Sequence, residues 1–224
     1  MKYEAAPATC RGRALAHDDV PLEFARNAYM LAIWCAVQNA HRAVCDRDAR
    51  RCERKRPRVR RGTCVRISHA VAGAARPAQC RICPLARRER YRDASPALRR
   101  LGIDVDGWPV PPAGLFVVEE RTVYLRSRTP MTIGHETAHA IDCALGDGVY
   151  RSGFDPEIRA AFAAARSFVT PYAASGLDEY FAECVRAYAD VLNDVESPWP
   201  RATRERLRAC DPAMPTIATE IFGG

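Results

Sequence analysis

The stretch Thr129-Pro-Met-Thr-Ile-Gly-His135-Glu136-Thr-Ala-His139-Ala-Ile-Asp142 organises the reading of this 224-residue chain. Thr129-Pro130 joins an N-capping hydroxyl to a first-turn proline, so a helix is predicted to open there and to end near Gly146. On a helix, residues four apart share a face. His135 and His139 can therefore offer both imidazoles to one metal ion, while Glu136, one step round, addresses a water at that ion. Two satisfied core histidines are the plainer reading. The chain has only five His, however, and composition alone rarely sets two of them four apart around a Glu.

A catalytic zinc takes three protein ligands and keeps a fourth position open. The long metzincin motif would need Gly at 142 and His at 145; Asp142 and Leu145 stand there instead, which removes that class. Asp142, three residues past His139, is aimed one turn beyond the site and is read as a residue that orients a ligand from behind. A carboxylate on a downstream helix is the better third donor, and Glu179 and Glu183 lie four apart on one face there.

Moving outward, Leu115–Val118 and Thr122–Leu125 are two short β-type runs joined by Glu119-Glu-Arg121, a predicted hairpin. If one of its strands is a sheet edge beside the site, it could hold an extended peptide by backbone hydrogen bonds. Asp155-Pro156 repeats the cap-and-proline signal and predicts a helix to about Phe168. Ser175 with Asp178 resembles a capping box opening a helix to about Asn193, and a short helix is expected from Thr203 to Ala209.

His135-Glu-Thr-Ala-His-Ala-Ile-Asp142, followed by Thr170-Pro-Tyr172 and Glu179-Tyr-Phe-Ala-Glu183, resembles the catalytic domain of the anthrax lethal factor-like zinc peptidases. The match runs from Thr132 to Tyr188, with both halves in order and a tyrosine seven residues before the second. The resemblance implies an α+β, zincin-like metallopeptidase fold: a small mixed sheet, an active-site helix and a downstream ligand helix. It implies that His135, His139 and Glu179 bind Zn²⁺, that Glu136 is the general base and that Tyr172 assists at the substrate carbonyl. Glu183 would support the site from behind. The expected activity is endopeptidase cleavage of a protein or peptide substrate through a zinc-bound water activated by Glu136.

Composition bounds what remains. Hydrophobic residues make up 48% and charged residues 27%, a globular balance that excludes collagen-like, coiled-coil and wholly disordered chains. The net charge of +7 hides an asymmetry: 23 Lys+Arg against 9 Asp+Glu up to residue 100, then 11 against 18 after it. The basic share crowds into Arg47–Arg61. A non-enzymatic binder that uses this Arg/Cys-rich segment on nucleic acid or another acidic partner, with the zincin half as scaffold, is the alternative function.

Residues 1–18 read as a flexible arm and 19–224 as one domain, with a helix from about Asp19 to Cys45 and an Arg/Cys-rich excursion over 45–92. Charged Glu4, Arg11, Arg13, Asp18 and Asp19 interrupt any signal peptide. The longest apolar run, Ala28–Val37, is too short for a bilayer that needs about 20 residues. A soluble protein is expected, cytoplasmic or delivered into a target cell. Reduced thiols or metal ligands are then the default for the 10 Cys. Cys80-Arg-Ile-Cys83 has the spacing of a zinc knuckle, and Cys64 or Cys52 could complete a second, structural Zn²⁺ site.

Overall fold

The computed structural model describes residues 65–69, 78–191 and 197–222. The expected arm, the helix from Asp19 to Cys45, the basic run Arg47–Arg61, Cys52 and Cys64 lie outside the described residues.

Strands β1 (Val65–His69), β2 (Ala78–Pro84), β3 (Gly114–Val117) and β4 (Thr122–Leu125) form one mixed sheet in the order β1-β2-β4-β3. β1 runs antiparallel to β2, β2 parallel to β4, and β3 antiparallel to β4, with Phe116 opposite Val123. The last pair is the predicted hairpin. Its connection is a 3₁₀ turn, Val118–Glu120, closed by Arg121 in the left-handed region (φ 44).

Side chains alternate across the sheet, as strand geometry dictates. Ile82, Phe116, Val123 and Leu125 enter the main core, while Cys83, Leu115, Val117 and Tyr124 enter a smaller one on the opposite face. Two short helices, α1 (Tyr91–Ala94) and α2 (Pro96–Leu101), cover that smaller core with Tyr91, Ala97 and Leu98. Glu120 fastens them to the sheet by accepting hydrogen bonds from Ala97 N (2.7 Å) and from the hydroxyls of Ser95 and Tyr124.

The excursion read over 45–92 therefore ends earlier. Residues 78–84 are β2, inside the sheet, and Tyr91 is fully buried. The alternation Ala78-Gln-Cys-Arg-Ile82 carried the period-two signal of this strand, with Arg81 exposed between Cys80 and Ile82.

On the main-core face lies α3 (Pro130–Leu145), with Thr129 as N-cap, its Oγ1 accepting from Thr132 N, and Gly146 after its last turn. It is covered by β3 and β4 on one side and by α5 (Leu177–Tyr188) on the other. A helix enclosed in this way buries nearly its whole circumference. Eight consecutive residues of α5, Tyr180–Ala187, are likewise buried.

Helix α4 (Pro156–Ala164) starts where predicted, with Asp155 Oδ1 accepting from Glu157 N and Ile158 N, but stops four residues before Phe168. Ala165 is extended, which frees Phe168 to pack on Phe162 and Tyr180 at ring-centroid distances of 5.6 and 6.0 Å. Helix α5 has Gly176, not Ser175, at its N-cap; the Ser175 hydroxyl donates to Tyr172 O instead. It ends at Tyr188, short of Asn193, with Asp190 turning the chain at φ 53.

The short helix expected near 203–209 is α6 (Arg204–Cys210). The sequence reading missed α7 (Met214–Phe222). Its signal was present in Asp211-Pro212, the same dipeptide that opens α4: Asp211 Oδ1 accepts from Ala213 N and Met214 N.

Candidate metal centre

Helices α3 and α5 cross so that His135 and His139 from one and Glu179 from the other meet. His139 Nε2 lies 3.1 Å from His135 Nε2, and Glu179 Oε2 lies 2.9 Å from the first and 3.4 Å from the second of these imidazoles in chain order. Ligand atoms about 2.0–2.1 Å from a tetrahedral ion stand roughly 3.3 Å apart, so a triangle of this size suits one small cation. Glu179 Oε2 is buried and receives no well-directed hydrogen bond. A carboxylate oxygen so placed between two imidazole nitrogens is the feature a metal would satisfy. Among the described residues, these three are the one group whose ligand atoms come together in this way.

Behind His135 stands a buried polar network. Glu183 Oε1 lies 2.9 Å from His135 Nδ1, which directs the other ring nitrogen toward Glu179 and His139. Glu183 is itself gripped: Arg186 donates from Nε (3.0 Å) and Nη2 (2.7 Å), and the Thr170 hydroxyl donates to Oε2 (2.6 Å). Both Arg186 and Glu183 are buried, and Arg186 Nη1 also donates to Val191 O.

The electrostatics follow from this crowding. Burial pulls the His135 imidazole down, but the Glu179 and Glu183 carboxylates against it lift it to about 10. Burial pushes Glu179 and Glu183 up, yet the imidazoles beside Glu179 hold it far below the usual carboxylate range, and His135 with Arg186 holds Glu183 at about 2. Without a metal, the site retains a proton where a cation would sit.

Glu136 is buried on α3 and faces β3, and burial raises its carboxyl. The strand approaches so closely that a Cβ on Gly114 would lie 2.6 Å from Glu136 Cγ. Tyr172, on the 3₁₀ turn Pro171–Ser175, donates its hydroxyl to Glu179 Oε1 (2.9 Å), and its ring lies 5.6 Å from that of His135.

Asp142 makes its hydrogen bonds to Ser152 and not to His139. Nearly a full turn further along α3, it points past the site and takes hydrogen bonds from Ser152 N (2.9 Å) and Ser152 Oγ (2.6 Å), anchoring the 3₁₀ turn Arg151–Gly153. His139 Nδ1 is buried without a hydrogen-bond partner.

The cysteine expectation also changes. Cys80 and Cys83 are three apart in a strand and so face opposite sides of the sheet, Cys80 against the main core and Cys83 in the smaller one. Cys83 is disulfide-bonded, and Cys80, Cys143, Cys184 and Cys210 are free thiols. The pair cannot share a metal ion.

Four residues at the centre were given no role by the sequence. Arg186 was detectable, since it follows Glu183 by the three residues that pair opposite charges on a helix. Thr170 carried the cap signal of Thr170-Pro171. Tyr150, whose ring lies 5.5 Å from that of His139, and Trp199, stacked on Tyr172, had no local signal.

No family model matches the chain, and no curated protein matches it. No helix among the described residues is long and apolar enough to cross a membrane.

Proposed function

We propose that this chain is a zinc-dependent metalloendopeptidase acting on a protein substrate, with a zincin-like fold and a catalytic domain akin to the anthrax lethal factor-like peptidases. The observation that carries the reading is the convergence of His135 Nε2, His139 Nε2 and Glu179 Oε2 within 3.4 Å of one another, with Glu136 next to a ligand on the same helix. Two imidazoles and a carboxylate are the protein donor set of a catalytic zinc that keeps one position open. Zinc, when bound, supplies a Lewis acid that polarises a carbonyl and makes water nucleophilic near neutral pH.

The protein groups divide the remaining work. Glu136, its carboxyl raised by burial, takes the proton of the attacking water and passes it to the leaving amine. The Tyr172 hydroxyl, which donates its one proton to Glu179 Oε1 in the resting site, turns to the carbonyl oxygen as charge develops there, a contribution typically of about 3 kcal/mol. Among the described residues β3 is the sheet edge nearest Glu136, where the Phe116 backbone already meets the Glu136 carboxylate, and an extended peptide held by backbone hydrogen bonds would run along that edge.

The test is direct. Purified protein should hold about one zinc, and Glu136→Gln should keep that metal while losing peptide cleavage. Comparing new N-termini in lysate treated with the wild type or with Glu136→Gln would identify the substrate. Normal cleavage by the variant overturns the mechanism.

A further inference from the structure

Trp199 lies outside every motif, yet it completes the environment of Tyr172. The two rings are stacked, with centroids 5.6 Å apart and planes 19° apart. The Tyr172 ring thereby neighbours both Trp199 and His135, whose ring is 5.6 Å away at 41°. The Tyr172 hydroxyl meets Glu179 Oε1 at 2.9 Å.

Backbone anchoring does not by itself fix this ring. The turn carrying Tyr172 is tied to α5 through Thr170, whose Oγ1 donates to Glu183 and accepts from Ala173 N. Tyr172 and Trp199 nevertheless remain 39% and 38% exposed. Without the indole, the Tyr172 ring would lose one of its two aromatic neighbours among the described residues, and a hydroxyl so close to solvent could turn from Glu179 toward water. A stacked aromatic pair is worth enough to bias that choice. Trp199 sits in Ser197-Pro-Trp-Pro200, where two prolines restrict the backbone and Ser197 Oγ accepts from Trp199 N (3.3 Å).

We propose that Trp199 is a positioning residue: by stacking on Tyr172 it keeps the Tyr172 hydroxyl on Glu179 and so holds the carboxylate in place for the metal. The inference rests on the metal-centre reading above. It assigns the segment that follows α5 a role in metal affinity without contact between Trp199 and the ion.

The experiment reads zinc affinity by chelator competition on the full chain, without requiring turnover. Trp199→Ala should weaken zinc binding about 3- to 10-fold, the range that loss of one aromatic stack gives. Trp199→Phe should restore most of it. Tyr172→Phe, which removes the hydroxyl, should weaken binding similarly, and adding Trp199→Ala to it should change affinity less than 2-fold, because the indole would act through a hydroxyl already gone. Should Trp199→Ala fail to fold, Trp199→Leu keeps apolar bulk without a flat ring and is read the same way. Independent, multiplying losses in the double variant, or unchanged affinity in Trp199→Ala or Trp199→Leu, overturn the inference. Absence of zinc binding in the wild type overturns the metal-centre reading instead.

Discussion

Removing the Glu183 carboxylate is the most informative perturbation, because that group has two separable duties. It accepts from both Arg186 Nε and Nη2 and from Thr170 Oγ1, and it orients His135 through Nδ1 at 2.9 Å. In Glu183→Ala the Arg186 guanidinium, with a fully buried side chain, loses a buried carboxylate partner. Breaking a buried pair on one side costs about 3–5 kcal/mol. For a chain of this size, that is a Tm loss of roughly 6–20 °C. His135 also loses the acceptor that fixes its ring, which costs about 10- to 100-fold in metal affinity.

The two effects separate in Glu183→Leu/Arg186→Met, which removes the acceptor for His135 as well as the ion pair. This variant removes both charges, so most of the stability should return while zinc affinity stays low. Thermal unfolding in chelator reports the first effect, and zinc competition with a calibrated chelator reports the second. A Glu183→Ala protein with Tm within 2 °C and zinc affinity within 3-fold of the wild type would refute the network. Recovery of zinc affinity together with stability in the double variant would show that Glu183 serves folding alone.

Gly114→Ala places a methyl 2.6 Å from Glu136 Cγ and 2.8 Å from Thr132 Cγ2, so β3 or Glu136 must shift; zinc content should persist while peptidase activity falls at least 10-fold, since misplacing a reacting group by an ångström costs about that or more. In the metal-free protein His135 is raised to about 10 and is protonated at pH 7, whereas a metal needs its bare nitrogen. Zinc binding at pH 7 should therefore release close to one proton, and affinity should climb with pH toward 10; titration calorimetry in buffers of different ionisation enthalpy checks this, and buffer-independent heats would refute it. Asp155 caps α4 and pairs with Arg151; burial opposes its ionisation, but these contacts hold it below the ordinary 3.8. Its stabilisation is present above that ordinary value and lost as pH falls through the lower folded one, so Asp155→Ala should cost about 1–2 kcal/mol at pH 7 and progressively less below pH 4, measured by denaturant unfolding.

Local signals carried the elements that hold the site. Thr129-Pro130 and Gly146 bracket α3 because capping is a matter of a few adjacent residues, and Asp155-Pro156 opens α4 for the same reason. The hairpin of β3 and β4 was legible in two short apolar runs. Signals failed where partners are remote. Phe168 leaves the helical register to join Phe162 and Tyr180, and β2 pairs with β4, some forty residues away.

The sequence by itself determined the candidate site residues and their spacing: His135, Glu136 and His139 on one helix, Glu179 and Glu183 on another, because helical periodicity turns an interval of four into a shared face. The crossing of α3 and α5 decided which carboxylate faces the two imidazoles and which one backs His135. Tertiary structure also sent Asp142 to Ser152, split Cys80 from Cys83 across a sheet, and brought Trp199 against Tyr172. Those outcomes depend on the direction in which each side chain leaves its element and on what is packed there, which residue order does not encode locally.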